Sequence, residues 1–216
     1  WDILTIWTNY LVEYGQDPSN QLCTDDFAGH WAHNANLSVK AIMGIAGYSE
    51  IARMLGFNDV ADEYATIAKK MAVKWEEMAN EGDHYRLAFD REDTWSQKYN
   101  MIWDKMWGLN LFPNNVIDKE INYYLTKQNP YGLPLDSRKD YTKSDWIMWT
   151  AAMSSDQITF EKFVDPLYKY VNETISRVPI SDWYDTKTNQ MTGFKARSVI
   201  GGHWMKVLTD KMLNNQ

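Results

Sequence analysis

Helical periodicity of the apolar residues is the feature that most limits what this chain can fold into. Between about residues 59 and 79 the apolar positions recur at steps of three and four, which places them on one face of a helix. Residues 41–55 are apolar nearly all round, as expected of a helix that other helices enclose. No alternating pattern of useful length indicates a β-strand. The sequence therefore predicts an all-α fold.

Further helical segments alternate between an outer type with one polar face and an inner type that is largely apolar. Outer helices are predicted at about residues 115–127 and 159–176, and inner helices at about 97–109, 144–153 and 196–213. Pro166 should kink the second outer helix or restart it, because proline cannot donate the helical hydrogen bond. The pattern indicates about four antiparallel helical hairpins.

The connections between these helices fall into two classes of length. Those from inner to outer helices are short, whereas those from outer to inner helices are long and rich in acids, aromatic residues, glycine and proline. In a ring of antiparallel hairpins, all the long connections lie at the same end. Their polar side chains should therefore converge on one face above the inner helices, and we expect the functional site on that face.

Length and charge narrow the class of protein. The chain suits a single domain over residues 1–216, and its formal charge of -7 argues against a nucleic-acid partner and for a small-molecule substrate. No apolar run is long enough for membrane insertion. The chain starts within a helical pattern and without an initiator methionine. We therefore expect a fragment whose partner is the missing N-terminal portion of the same polypeptide.

The first long connection carries acids and histidines just ahead of an apolar helix. If that helix begins near Asp26, then Asp26 and His30 lie one turn apart on one face, with Asp25 beside them. These residues could ligate a divalent metal, cap the helix or form one wall of a substrate cleft. A thiolate at Cys23 with His30 as its base is a further alternative that the loose spacing disfavours. We predict Asp25 and Asp26 as catalytic, His30 as substrate-binding, and neither a metal nor another cofactor.

The third long connection holds the densest polar chemistry. It supplies acids, a bidentate guanidinium donor and rings for stacking, from Asp136, Arg138, Tyr141, Lys143, Asp145 and Trp146. We predict the two acids as catalytic and the other four residues as substrate-binding. The alternative is a salt-linked loop in which Ser144 or Thr142 caps the next helix. An amidase-like pair of Ser144 with Lys143 is disfavoured, because adjacent helical residues rarely face each other.

The second and fourth long connections add further candidates. Lys98 and Tyr99 should point along an inner helix toward the substrate. The fourth connection offers two catalytic carboxylates and two substrate-binding residues, namely Asp182, Asp185, Trp183 and Arg197. Two acids can serve as general acid and general base when their environments separate their pKa values. The alternative is that an acid in this connection only forms a turn beside a packing tryptophan.

Four long strings make the chain similar to a known family. They are QLCTDDFAGHWAHNANLSVKAIMGIAGY, TWSQKYNMIWDKMWGLNLFP, YGLPLDSRKDYTKSDWIMWTA and VPISDWYDTKTNQMTGFKARSVIGGHW. These strings resemble the C-terminal portion of glutaminase A-type proteins, and the resemblance covers essentially the whole chain.

The resemblance implies an (α/α) six-hairpin toroid like that of many glycosidases, and hydrolysis of L-glutamine to L-glutamate and ammonia. It also implies a secreted, periplasmic or cell-surface location and a β-rich domain ahead of the toroid. It offers no catalytic set that can be transferred residue by residue, so the candidate residues rest on the four connections. The alternatives are a glycan-active or glycan-binding toroid, and a fragment with no activity of its own.

Overall fold

The computed structural model describes residues 1–19 and 26–214, and within them the protein is mostly helical, which confirms the predicted helical class. The α-helices are α1 Asp2–Tyr14, α2 Ala35–Met54, α3 Asn58–Ala79, α4 Ile102–Trp107, α5 Asn114–Leu125, α6 Ser144–Ala152, α7 Gln157–Glu173 and α8 Met205–Leu213. Three 3-10 helices lie at Asp26–Ala28, Tyr99–Met101 and Ser198–Trp204. No helix in this described part is long and apolar enough to cross a membrane.

Helix α2 does not begin where the sequence predicts. Asn34 accepts a hydrogen bond from the Leu37 amide at 2.9 Å and caps the helix, which therefore starts at Ala35 rather than near Asp26. His33 just before this cap has a φ of 63°, which does not continue a helix. The expectation that Asp26 and His30 share one helix face is therefore wrong.

Other helix boundaries also depart from the predicted ranges. The inner helix expected at 97–109 is a 3-10 turn followed by the short α4, which ends where Gly108 takes a φ of 66°. The helix expected at 196–213 is likewise divided into the 3-10 helix Ser198–Trp204 and α8. Helix α7 instead runs unbroken through Pro166, so no restart occurs there.

A small antiparallel sheet accompanies the helices, although the sequence shows no convincing strand pattern. It consists of β1 Tyr141–Lys143, β2 Ser181–Asp185 and β3 Met191–Lys195, in the order β1-β2-β3. Lys143 pairs with Trp183, and Trp183 pairs in turn with Gly193. A Cβ atom at Gly193 would lie 2.8 Å from the Trp183 ring, so only glycine fits beside it. The sheet thus brings the third and fourth connections together at the start of α6.

Helix α6 is nearly fully enclosed, and side chains of α4 hold its end. Eight of its nine residues are buried, so the surrounding elements fix the position of the helix and of the side chains in its first turn. Lys105 of α4 donates from Nζ to three carbonyl oxygens at the α6 C-terminus, at 2.8–3.2 Å, where a cation also suits the helix dipole. The neighbouring Asp104 accepts hydrogen bonds from the Leu111 and Phe112 amides at 3.0 and 2.9 Å. Consecutive residues of α4 thereby fix two different parts of the chain.

Candidate active site

An open cavity lies where the first, third and fourth long connections meet. Its volume is about 450 Å³, and its walls are the start of α6, Phe194 of β3, the 3-10 helix Ser198–Trp204, and Phe27 of the first connection. A second cavity of about 420 Å³ lies between α1 and α2, but none of the described residues in its wall is acidic. The cavity at α6 is therefore the better candidate for chemistry.

Lys143, Asp145 and Arg197 form the charged part of the cavity wall, and the Asp182 carboxylate lies buried behind them. Lys143 Nζ contacts the Asp182 carboxylate and lies 3.3 Å from Oδ1 of Asp145. Arg197 binds Asp182 bidentately, with Nε–Oδ1 at 3.3 Å and Nη2–Oδ2 at 2.5 Å. The Asp182 side chain has no exposed area, whereas 37% of the Arg197 side chain is exposed. Asp182 therefore positions the two cations, and Arg197 is the member of the network that reaches solvent.

The two carboxyl groups have pKa values that are shifted in opposite directions. Burial raises the pKa of Asp145, and Lys143 opposes this shift only in part. Burial would also raise the pKa of Asp182, but hydrogen bonds from Arg197 and Lys143 outweigh it and lower that pKa. A carboxyl group with a raised pKa can take up and release a proton, whereas one with a lowered pKa stays ionised. Asp145 is the candidate proton carrier.

One oxygen of Asp145 lacks a hydrogen bond. Its Oδ1 atom is buried, and within the described residues no donor is aligned with it. Lys143 Nζ lies 3.3 Å from this oxygen and is its ion-pair partner. A buried carboxylate at a cavity wall with a cation as its partner and a perturbed pKa is a candidate functional group.

A histidine that the sequence does not single out lies beside this network. His203 Nε2 is 3.0 Å from Ser144 Oγ at the start of α6. Burial lowers the pKa of His203, against the opposing charge of Asp182, so the imidazole is neutral at neutral pH. Ser144 has no exposed area, which disfavours it as a nucleophile. The pair joins the 3-10 helix to α6, and the sequence gives no spacing signal for it, because the two residues lie 59 positions apart.

Aromatic rings form the apolar part of the cavity. Phe27 is the centre of this group, with ring centroids at 4.7–6.1 Å from Tyr141, Trp146, Trp183 and Phe194. Trp146 also stacks on Tyr99 at 4.3 Å and an angle of 8°. The predicted residues Tyr99, Tyr141, Trp146 and Trp183 thus belong to one ring cluster beside Lys143, Asp145, Asp182 and Arg197. Phe27 and Phe194 complete the cluster, although the sequence pattern does not select them.

Two predicted residues of the third connection lie at a different place. Asp136 and Arg138 form a bidentate ion pair at 3.0 and 2.6 Å, and Arg138 Nη1 also donates to the Gly29 carbonyl at 2.7 Å. They border a separate, shallow cavity of about 290 Å³. This arrangement matches the salt-linked loop considered as the alternative for this connection.

Three further predicted residues, Lys98, Asp185 and His30, are also outside the cavity at α6. Lys98 is fully buried, with Nζ at 3.4 Å from Glu120 and donating to two backbone carbonyls. Asp185 accepts hydrogen bonds from two backbone amides of the β2–β3 turn, and His30 is exposed. Asp25 and the side chain of Asp26 lie outside the described residues. In residues 1–19 and 26–214, no group of three or more histidine, cysteine or acidic residues is arranged to hold a metal.

Comparison with known proteins identifies the family. A sequence model described as the glutaminase A six helical-hairpin domain matches residues 1–207. The chain belongs to this family. The family is the one that the four sequence strings resemble, so that resemblance is confirmed.

Two curated relatives are similar to almost the whole of this glutaminase A-family chain. Glutaminase A of Aspergillus oryzae (strain ATCC 42149 / RIB 40) is 39% identical in an alignment of 207 residues that covers 93% of this chain and 30% of the relative. A protein of Arthroderma benhamiae named "Probable glutaminase" is 34% identical in an alignment 242 residues long, gaps included, that covers 97% of this chain and 28% of the relative. The chain therefore spans less than a third of the length of these relatives.

Proposed function

We propose that this domain supplies the active site of a hydrolase that converts L-glutamine, or a similar amide, to the corresponding acid and ammonia. The observation that carries the proposal is the buried Asp145 carboxyl group, which borders the cavity and lies 3.3 Å from its ion-pair partner Lys143 Nζ. Membership of the glutaminase A family and the names of the two relatives support the choice of substrate.

Asp145 is suited to move the proton that amide hydrolysis requires. As a general base, its carboxylate takes a proton from water while the water oxygen bonds to the amide carbon. The carbon–nitrogen bond then breaks, its electron pair leaves with nitrogen, and Asp145 returns the proton to form ammonia. Lys143 beside Asp145 would stabilise negative charge that develops on the carbonyl oxygen.

Arg197 is the better of two candidate anchors for the carboxylate of an amino-acid substrate. Its guanidinium borders the cavity, stacks on Phe194 at 3.9 Å and is held in orientation by Asp182. A planar guanidinium binds carboxylates well, since several N–H groups point in one plane. Arg138, the other candidate, is engaged by Asp136 at the separate shallow cavity.

The toroid architecture and a location outside the cytoplasm form part of the same proposal. The helices would form about four hairpins of an (α/α) toroid, with the long connections at its open end. The rest of a longer polypeptide would complete the toroid, and the whole protein would act outside the cytoplasm, as a secreted, periplasmic or cell-surface enzyme. Support comes from the six-hairpin description of the family and the greater length of the relatives.

The test is ammonia release from L-glutamine, measured for this chain and for the longest natural polypeptide that contains it. Asp145→Asn should lower the rate about 100-fold or more, because the general base is lost. Asp210→Asn is the matched control, since Asp210 is half exposed and pairs with Lys206 on α8. No ammonia from L-glutamine between about pH 4 and 9 would disprove the proposal. Activity in the long polypeptide alone would show that this chain is inactive by itself.

A glycan ligand is the second candidate, and the ring cluster favours it. Trp146 and Trp183 lie beside acids, and aromatic faces stack well on apolar sugar faces. Trp31 lies between Arg91 and Arg138 instead, at 4.1 and 5.1 Å. A glycan-binding screen of the long polypeptide tests this candidate, and Trp146→Phe should weaken any glycan that binds the cavity. A screen without a bound glycan would rule it out.

A further inference from the structure

Helix α1 turns its apolar face away from the rest of the protein. Five large side chains share one side of this helix, and 51–66% of each is exposed; we call them the α1 stripe, and they are Ile3, Ile6, Trp7, Tyr10 and Tyr14. Of residues 2–14, only Thr8 is buried, and it lies on the opposite side. Other amphipathic helices do the reverse, since α3 buries Trp75 and α7 buries Phe163. An amphipathic helix normally packs its apolar side against a core.

Specific contacts hold α1 in this orientation. Thr5 Oγ1 lies 2.7 Å from Tyr48 Oη of α2, and the Tyr64 hydroxyl of α3 donates to Asn9 Oδ1 at 2.5 Å. Trp1 also stacks on Tyr48, with ring centroids 4.6 Å apart. Rotation of α1 to bury the stripe would break these contacts. Burial of the stripe therefore requires a partner that packs onto it from outside.

The chemistry of the stripe suits a permanent contact between helices. It contains three aromatic and two β-branched residues and no charged residue, which is typical of the core of an obligate interface. Tyr10 and Tyr14 also border the cavity of about 420 Å³ between α1 and α2. Small residues line this groove as well, among them Gly15, Ala41 and Gly44. Grooves on a helix pair receive the side-chain ridges of a third helix.

A second apolar patch lies on α8, the last of the described α-helices. Trp204 just before α8, Val207 and Leu208 are three and four residues apart, so they share one face, and 43–70% of each side chain is exposed. We call these three residues the α8 patch. The buried residues of α8 are instead Met205 and Thr209. The first and the last described α-helices thus both present uncovered apolar faces.

The family and the length of its members indicate one occupant for both surfaces. The family is described as a six helical-hairpin domain, whereas the eight α-helices in residues 1–19 and 26–214 supply at most four hairpins. This chain also spans less than a third of the length of its relatives, which leaves enough length for further hairpins. In an incomplete ring, added hairpins contact the first and the last helix together. A second copy on α1 would give no reason for the α8 patch.

We propose that the α1 stripe and the α8 patch are the two surfaces on which the remaining helical hairpins of the same polypeptide dock to close the ring. The inference rests on the ring architecture put forward with the proposed function, but not on the reaction. In the intact protein the added helices lie against Trp7 and Tyr10 in the middle of the stripe and withdraw both rings from water.

Hydroxyl-radical footprinting tests these contacts on unmodified proteins. The rate of side-chain oxidation is measured by mass spectrometry for this chain and for the longest natural polypeptide that contains it. Oxidation of Trp7 and Trp204 should be about fivefold slower or more in the long polypeptide, because the core of an interface is withdrawn from water. Tyr168 on α7 is the control, since it is 68% exposed and lies outside both surfaces. Its rate should change less than about twofold.

Matched charged variants test the α1 stripe through stability. In this chain alone, Trp7→Lys and Tyr168→Lys should each move Tm by less than about 2 °C, because both side chains are exposed. In the long polypeptide, Trp7→Lys should lower the Tm of the transition that includes this domain by about 5 °C or more, since the lysine would be buried without a partner. Tyr168→Lys should again have little effect. Footprinting of the unmodified proteins decides the matter if a variant does not fold.

Three results would overturn the inference. The first is equal oxidation of Trp7 in the two proteins. The second is protection of Trp7 without protection of Trp204, because hairpins that close the ring cover both surfaces. The third is a dimer of this chain, detected by sedimentation, in which Trp7 is protected while it stays reactive in the long polypeptide, since a second copy would then be the occupant.

Ammonia release from L-glutamine by the same long polypeptide keeps this inference apart from the proposed reaction. Protection of Trp7 and Trp204 without ammonia would support the docking surfaces and disprove the hydrolase proposal. Ammonia release with both residues unprotected would overturn the docking surfaces and leave the hydrolase proposal standing.

Discussion

Asp182→Asn removes the carboxylate on which the charge network of the cavity depends. Asparagine has nearly the same shape, so the packing around it is preserved while the negative charge is lost. Only 2% of the Lys143 side chain is exposed, and without Asp182 it keeps just the neighbouring Asp145 as a counter-charge. Arg197 also loses its partner, but 37% of its side chain is exposed, so water can solvate it. The cost should therefore arise mainly from Lys143.

The expected loss follows from this difference in exposure. Removing one partner of a buried ion pair costs about 3–5 kcal/mol, whereas an exposed pair contributes about 0–1 kcal/mol. Because Lys143 retains Asp145, we expect the lower end, about 3 kcal/mol. For a chain of this size that corresponds to a fall in Tm of roughly 6–12 °C.

Urea unfolding at pH 7, followed by circular dichroism, measures this loss. The double variant Asp182→Asn with Lys143→Met should recover more than half of it, because no uncompensated buried cation remains. Asp140→Asn is the control, since Asp140 pairs with Lys187 and both side chains are about half exposed. A loss below about 1 kcal/mol, or a double variant less stable than the single one, would refute the reasoning.

The pH dependence gives an independent check on the same residue. The pKa of Asp182 is lowered in the folded protein, so its stabilisation is present above the unfolded value of about 3.9. That stabilisation is lost as the pH falls through the folded pKa. The difference in stability between wild type and Asp182→Asn should therefore shrink in acid, and a difference that stays constant would contradict the assigned shift.

Three further predictions concern single positions. Asn34→Ala should destabilise the protein by about 1 kcal/mol in urea, because α2 loses its N-cap, and an unchanged midpoint would contradict this role. Gly132→Ala should cost about 1–3 kcal/mol, since its φ is 128° and its Cβ would lie 2.9 and 3.0 Å from two side chains; Gly82→Ala, with open space, should cost less. Ammonia release should rise with pH through a pKa above the usual aspartate value, because the pKa of Asp145 is raised, and Asp145→Asn should remove this limb.

Much of the helical framework can be predicted from local patterns. The amphipathic repeat predicts residues 59–79, and α3 spans Asn58–Ala79. The largely apolar segment at 144–153 likewise corresponds to α6, Ser144–Ala152. The apolar periodicity within each of these segments is strong enough to predict the helix without reference to the rest of the chain.

The elements that the sequence misses depend on distant partners. Strand β1 has three residues, and it is a strand only because Lys143 pairs with Trp183 some forty positions later. The hydrogen bond of His203 to Ser144 and the approach of Gly202 to Trp149 are also long-range contacts. Local composition cannot separate the ion pair of Asp136 with Arg138, which ties a loop, from that of Asp182 with Arg197 at the cavity. The sequence thus indicates which residue types can form a site, but not which of them the fold brings together.

The consecutive residues Asp104 and Lys105 have a consequence for how this part of the chain can vary in evolution. Asp104 binds the loop after α4, and Lys105 binds the end of α6, in different directions. Each residue inserted into or deleted from a helix rotates the remainder of that helix by about 100°. An insertion between these two residues would therefore break one of the two attachments. Among homologous sequences, we expect length changes to accumulate in the long connections and to be absent from α4.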